Sequence, residues 1–293
     1  MRLAALVIAA AIAPVSVAGA DELFELAKKV ANPLADLATA PLLYNWDGRL
    51  GSDEQGTSNY VRFQPVLPLH VDQDWNVISR LFMPIVEQDD VSPGSGTDFG
   101  LTGVNLSFFL SPRGPVSRGL TVGLGPVIGF PATDSALGSQ KWGLGPTAAI
   151  VWQPAGPWTA GFLTRHIWSV GGNVREADIN ETYLQPFVSY TTQDAWTVGL
   201  NTESTYYLTD NEASVPINLT VTKLVRLGGA AISFGPGVRY WVEEARLGLP
   251  LRDHARLSRR SLGCADVGSP GVSKASQRSR GESDNVQNLW KSR

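Results

Sequence analysis

From about Pro41 to Val242 the chain alternates between apolar and small or polar residues with a period of two. In "RGLTVGLGPVIGF", Leu120, Val122, Leu124, Pro126, Ile128 and Phe130 share one face of an extended strand, while Gly119, Thr121, Gly123, Gly125 and Gly129 share the other. In "KWGLGPTAAIVWQ" the outer set is Trp142, Leu144, Pro146, Ala148, Ile150 and Trp152, set against Gly143, Gly145, Thr147 and Gln153. Such alternation predicts strands with one apolar face and one small or polar face. It places eleven of them at 41–48, 58–70, 75–87, 99–110, 118–130, 141–153, 158–170, 180–191, 196–208, 213–225 and 230–242. Most are long enough to cross a bilayer as tilted strands. Ahead of them, Leu23, Leu26, Ala27, Val30, Leu34 and Leu37 recur at helical spacing, interrupted at Pro33. Residues 21–40 therefore read as a short helical lead-in: a periplasmic helix, a partial plug, or the approach to the first strand.

A soluble sandwich alternates in the same way, so the connections carry the distinction. Short links near 71–74, 112–117, 154–157, 192–195 and 226–229 take turns with mostly longer polar ones at 49–58, 88–98, 131–140, 171–180 and 209–214. An up-and-down antiparallel barrel of the bacterial outer membrane has tight periplasmic turns and longer outer loops. That predicts an all-β transmembrane barrel over 41–244. Trp75, Trp158 and Trp196 each follow a short link, at the level where such a strand enters lipid. An indole there rests its ring on acyl chains and keeps its N–H near water, which predicts an aromatic girdle. Pro65, Pro84, Pro126, Pro146, Pro186 and Pro236 fall inside predicted strands, where each removes a ladder donor. The expectation is that bulges absorb them.

Composition adds a compartment. Arg2, the apolar stretch from Leu3 to Val17 and the small triplet Ala18-Gly19-Ala20 read as a secretory signal peptide over 1–20, preferred to a membrane anchor because the apolar run is short. No later run reaches eighteen apolar residues, so any membrane contact is made by strands. The single cysteine, Cys264, closes no internal disulfide, and no CxxC or HExxH spacing is present. The net charge of −3 divides unevenly. Residues 245–293 hold ten Lys and Arg against four Asp and Glu, leaving −9 on the remainder. An acidic body is thus followed by a basic tail.

"ELAKKVANPLADLATAPL", "WNVISRLFMPI", "KWGLGPTAAIVWQPAGPWTAGFL" and "FGPGVRYW" resemble a family of Gram-negative outer-membrane barrels. Its members are named as transporters or, misleadingly, as neuromedin U-like proteins. They are similar in style to barrels associated with phenol-degradation pathways. The resemblance runs over roughly 22–243 and implies about twelve strands. It also implies a last amphipathic strand with a terminal aromatic residue, which the barrel assembly machinery recognises. Here residues 245–293 are rich in Arg and Ser and end in Arg293. The closing strand is therefore expected to be missing or replaced, with 245–293 a disordered or frameshifted tail. A genuine basic tail, or a poor twelfth strand from 245–251, are the alternatives.

Enzymatic chemistry finds little support. The Gly-rich stretches miss G-x-G-x-x-G spacing, and no G-x-S-x-G is present. His166 falls on the lipid side by parity and Ser204 lies two strands away, which argues against a hydrolase. No catalytic residue, metal site or cofactor is expected, and no nucleic-acid partner. The inward face is more telling: Arg62, Arg80, Arg165, Glu203 and Arg239 all fall on it, five to nine residues up from the inner turns. They are expected to form one charged belt lining the lumen. That belt is either a constriction for small solutes with a lean towards anions, or an ion network that stiffens a closed lumen. The expected role is a passive channel or uptake pore in the outer membrane, with lipid as its surroundings and its solute unknown. A non-conducting structural or adhesive barrel is the alternative.

Overall fold

The structure, a computed structural model, describes residues 5–10, 20–50, 55–91, 94, 96–227 and 230–243. The basic tail at 245–293 lies outside the described residues. A helix α1 (Ala20–Val30) precedes the wall. The strands are β1 (Ala5–Ala10), β2 (Ala40–Leu50), β3 (Gly56–Phe63), β4 (Val66–His70), β5 (Trp75–Asp89), β6 (Thr97–Leu101), β7 (Asn105–Pro112), β8 (Leu120–Gly129), β9 (Lys141–Trp152), β10 (Trp158–Gly172), β11 (Asn180–Thr191), β12 (Trp196–Thr202), β13 (Ser204–Tyr207), β14 (Glu212–Leu227) and β15 (Ala230–Glu243). β3 with β4, β6 with β7 and β12 with β13 are single passes with one break each, so the described strands make twelve passes. Every pairing is antiparallel, between consecutive passes and between the last pass and the first, so the described strands form a ring. The fold is an all-β, up-and-down closed barrel.

The closing position is filled from the N-terminal end of the chain. β1, inside the stretch read as a leader, pairs with β15 from Ala5↔Gly237 to Ala10↔Ile232 and with β2 from Leu6↔Tyr44 to Ala10↔Ala40. A replaced closing strand, not an open seam, is therefore the arrangement among the described residues. The connections differ from expectation in degree. β2 runs on to Leu50 and β3 begins at Gly56, so the loop expected over 49–58 shrinks to 51–55. The inner link 113–119 is as long as the outer loops 90–96 and 173–179. Alternation stops being visible where strands leave the apolar zone, although their ladders continue.

The prolines obey one rule. A proline has no N–H, so a ladder facing it must be interrupted. The β7–β8 pairing skips from Val127 to Leu124 across Pro126. The β9–β10 pairing skips from Thr147 to Leu144 across Pro146. The β14–β15 pairing skips from Gly237 to Phe234 across Pro236. Pro65 lies in the β3/β4 break. Pro84 faces the β6/β7 break, and Pro186 the β12/β13 break. In the first three, the residue before the proline is glycine. A Cβ on Gly125, Gly145 or Gly235 would stand 2.0, 1.7 and 1.9 Å from the carbonyl oxygens of Phe108, His166 and Val221. The Gly-Pro pair thus makes a notch: proline releases the neighbour's carbonyl, and glycine leaves space for it to tilt in.

The outer face is apolar, with aromatic residues at both rims. Trp75, Trp158 and Trp196 open their strands beside the inner turns and are exposed, joined at that level by Trp152 and Tyr190. Trp158 and Tyr190 meet edge to face at 5.0 Å. Lys223, paired opposite Trp196, lays its ammonium 5.3 Å from that ring and donates to the Asp194 carbonyl of the short turn. Towards the outer rim stand Trp46, Trp142, Trp168, Tyr206 and Tyr240, all exposed. Trp142 and Trp152 lie ten residues apart on β9. That is about 34 Å of strand and roughly 26 Å of height at a ~40° tilt, close to the apolar band of such barrels.

The inner mouth is occupied. Leu26 and Ala27 of α1 pack with Ala195, Leu224 and Ala231 at the foot of the wall. Lys28 Nζ donates to the Pro154 carbonyl at 3.2 Å, and Gln153 Nε2 donates to the Lys28 carbonyl at 2.7 Å. Asn32 Nδ2 donates to Gln153 Oε1 at 2.8 Å, and Arg226 lies 3.6 Å from Glu22. Beyond the helix, Leu34 inserts among Val66, Ile78, Phe109, Val151, Leu163 and Tyr183. The lumen is therefore more apolar on its inner side than alternation predicts. Gly123 makes room there, since a Cβ on it would lie 2.9 Å from Leu34.

Gly145→Ala is expected to destabilise the barrel by about 1–3 kcal/mol through overpacking against a backbone carbonyl. Gly114→Ala, with nothing within 4 Å of its Cβ, is expected to stay within about 0.5 kcal/mol. Urea unfolding in detergent micelles compares them, and equal midpoints would remove the notch account.

Candidate functional site: the charged belt in the lumen

Five of the inward residues were expected to form a belt; the structure brings three of them into direct contact. Arg62, on β3, donates from Nη1 to Glu203 Oε2 at 2.8 Å, with both side chains buried. Glu203 sits at the break between β12 and β13, on the other side of the lumen from β3. This bond therefore crosses the interior. Arg239, on β15, approaches the same carboxylate at 3.9 Å. Its Nε donates to Asn218 Oδ1 at 2.8 Å, its Nη2 to Asn45 Oδ1 at 3.1 Å and its Nη1 to Asp47 Oδ2 at 3.4 Å. Nη1 also donates to the Tyr60 hydroxyl. One guanidinium so ties β15 to β14, β2 and β3. It does so just beyond the level where β1 separates β15 from β2, because Ala5 pairs with Gly237.

Arg165 and Arg80 stand apart from this hub. The Arg165 guanidinium stacks on Tyr183, 4.0 Å from the ring centroid, and its Nε has no partner among the described residues. Phe82 lies between two cations, 5.4 Å from Arg62 and 5.8 Å from Arg165. Arg80 makes no hydrogen bond or ion pair with any described residue and faces an inner cavity. The belt thus carries four arginines against Glu203 and Asp47.

Sequence reading missed Asp47, Asn45, Tyr60, Phe82, Tyr183 and Asn218. Parity alone would have found Asn45 and Asp47, which alternate with the exposed Tyr44 and Trp46 in "YNWDG". That Arg239 would meet them, along with Asn218 and Tyr60, carries no such signal, since pairing across strands depends on stagger.

Cavities lie along the lumen among the described residues. The inner one, about 270 Å³, is bounded by the end of α1, Gln64, Arg80, Asn201 and Ser189. A small one of about 50 Å³ lies at the hub among Asn45, Arg62, Glu203 and Arg239. The outer one, about 390 Å³, is lined by Asn105, Phe130, Ile167, Glu181 and Tyr207 under the 131–140 and 173–179 loops. At its rim Lys141 Nζ donates to Asp178 at 2.7 Å, as does Ser169 at 2.9 Å. The Lys141 bond, with the Ser169 bond behind it, holds the Asp178 carboxyl below the usual range.

His166 faces outward, bonded through Nδ1 to Thr182 Oγ1 at 2.9 Å. Ser204 is paired with the Thr202 hydroxyl. Neither touches the other, so no nucleophile–base pair forms there. Among the described residues no three His, Cys, Asp or Glu side chains cluster as metal ligands.

An apolar cylinder around an ion-paired interior defines the class: a transmembrane β-barrel. A family model described as "Putative MetA-pathway of phenol degradation" matches residues 35–247, and the chain belongs to that family. No curated protein matches the chain. Among solved structures, the crystal structure of an outer-membrane channel from Pseudomonas putida F1 is similar at 13% identity, covering 82% of this chain and 91% of that one with a TM-score of 0.46. That likeness is too distant to inform the site.

Removing one partner of the cross-lumen pair leaves the other buried and uncompensated, which costs about 3–5 kcal/mol. Glu203→Gln leaves Arg62 without its counter-charge and takes one of two from Arg239, so it is expected to cost more than Arg62→Gln, which leaves Glu203 facing Arg239. The double variant should cost less than the sum of the two. Urea unfolding of refolded barrels measures this cycle, and strict additivity would show that the bond carries nothing.

Proposed function

We propose that this protein is an outer-membrane barrel that passes small molecules passively between the cell exterior and the periplasm. The observation that supports this best is the order of the lumen: an outer chamber, a belt rich in arginine and an inner chamber ending at α1. Four arginines against Glu203, Asp47 and Glu181 leave the lumen with an excess of positive charge, which favours anions and disfavours cations. The tryptophans at the inner rim hold the barrel at its depth in lipid. The barrel assembly machinery inserts the chain, with residues 1–20 acting as a leader whose cleavage takes β1 away and leaves β15 to close against β2. Chemistry on the solute is not part of this role.

A second reading has an observation of its own. Arg239 makes four hydrogen bonds within the belt, and α1 is seated by bonds at Lys28, Asn32 and Gln153. Such a network stiffens a barrel whether or not anything passes, so a non-conducting structural or adhesive barrel with binding loops accounts for it equally.

Planar-bilayer recordings separate the two. The pore reading expects discrete ion steps with anion preference, and loss of that preference in Arg80→Ser with Arg165→Ser. Folded protein that gives no steps supports the structural reading. Export makes a separate expectation: intact mass of barrel extracted from outer membranes should begin at Asp21, without β1. A mass retaining residues 5–10 would overturn the leader reading.

A further inference from the structure

The inner cavity contains a feature that the belt does not use. Of the four belt arginines, Arg62 and Arg239 are ion-paired, and Arg165 is stacked on Tyr183. Arg80 has neither arrangement. The carboxylate whose charge reaches it is Glu203, set against the like charges of Arg62 and Arg165. Glu203 is already engaged by Arg62 and Arg239. Arg80 is half-buried and lines the cavity, so what fills that space meets a guanidinium with no bound counter-charge.

The space in front of Arg80 is built to hold a ligand. At about 270 Å³ the cavity falls just under the usual small-molecule pocket, roughly 300–1,000 Å³. Ser189 lines it, is 8% exposed, and has an Oγ with no hydrogen-bond partner among the described residues. Gln64, also buried, and Asn201 add further polar groups, while Val66 and Phe187 form an apolar wall. One fixed cation, an idle buried hydroxyl and an apolar wall together specify a ligand with a single negative head and a compact apolar body.

We infer that the chamber between α1 and the belt binds a small organic carboxylate, with Arg80 as its charge partner and Ser189 as a hydrogen-bond donor. A carboxylate accepts two parallel N–H bonds from one guanidinium, a geometry that a neutral amide cannot reproduce. This deepens the channel reading by naming the class of solute that pauses inside, and it rests on that reading only for how the solute arrives.

The test uses the full chain, folded in detergent micelles and verified by heat-modifiable gel migration. Benzoate is the probe and benzamide its neutral counterpart, both followed by isothermal titration calorimetry. Benzoate is expected to bind, with benzamide at least about tenfold weaker, and Arg80→Gln is expected to weaken benzoate by a similar factor. Arg80→Lys should recover part of the loss, and Ser189→Leu should abolish binding by filling the space without touching the charge. Absence of benzoate binding to folded protein overturns the inference. So do equal affinities for benzoate and benzamide, or affinity unchanged in Arg80→Gln. Protein that binds benzoate yet shows no ion steps in bilayers refutes the pore and leaves the chamber standing. Protein that conducts without binding benzoate does the reverse.

Discussion

Hydrocarbon offers no hydrogen-bond partner, so a sheet placed in it must satisfy its backbone within itself and leave no edge. That constraint explains the order of the wall, in which each pass pairs with its sequence neighbours and the last pass pairs with the first to complete the ring. It also explains where prolines are tolerated. In water a missing donor is replaced by solvent, and in lipid it is not. Pro126, Pro146 and Pro236 accordingly fall where the adjacent ladder is interrupted, and the preceding glycines let the freed carbonyls lean inward.

The same solvent argument governs charge. An ionised group on the lipid face is costly at mid-depth, so charges collect inside. Once inside they share a narrow space and must compensate one another. Glu203 answers Arg62 and Arg239, and Asp47 answers Arg239 again. Glu203 lies at a ladder break, between the last residue of β12 and the first of β13, opposite Pro186-containing β11. The backbone irregularity forced by that proline thus coincides with the anion on which the cross-lumen contact depends.

What could be read from sequence follows from which properties are local. Alternation is local, and it located all eleven passes between Ala40 and Glu243, along with the inward parity of Arg62, Arg80, Arg165, Glu203 and Arg239. Trp75, Trp158 and Trp196 were equally visible because each adjoins a short link. Partner choice is not local. That Arg62 reaches Glu203 across 141 residues of chain, or that Leu34 enters the lumen against Phe109, depends on stagger and on the path of the segment before the first pass. Helical spacing marked α1 without showing where it would dock.

The belt and α1 work on the interior in different ways. Arg62–Glu203 spans the lumen as one bond between side chains anchored on distant strands, so opening it requires breaking a buried ion pair. Helix α1 is held instead by polar bonds to Gln153 and Pro154 and by an apolar face, with Leu26 and Ala27 packed on Ala195, Leu224 and Ala231. The belt therefore spans the interior by charge, and α1 fills its inner mouth by packing.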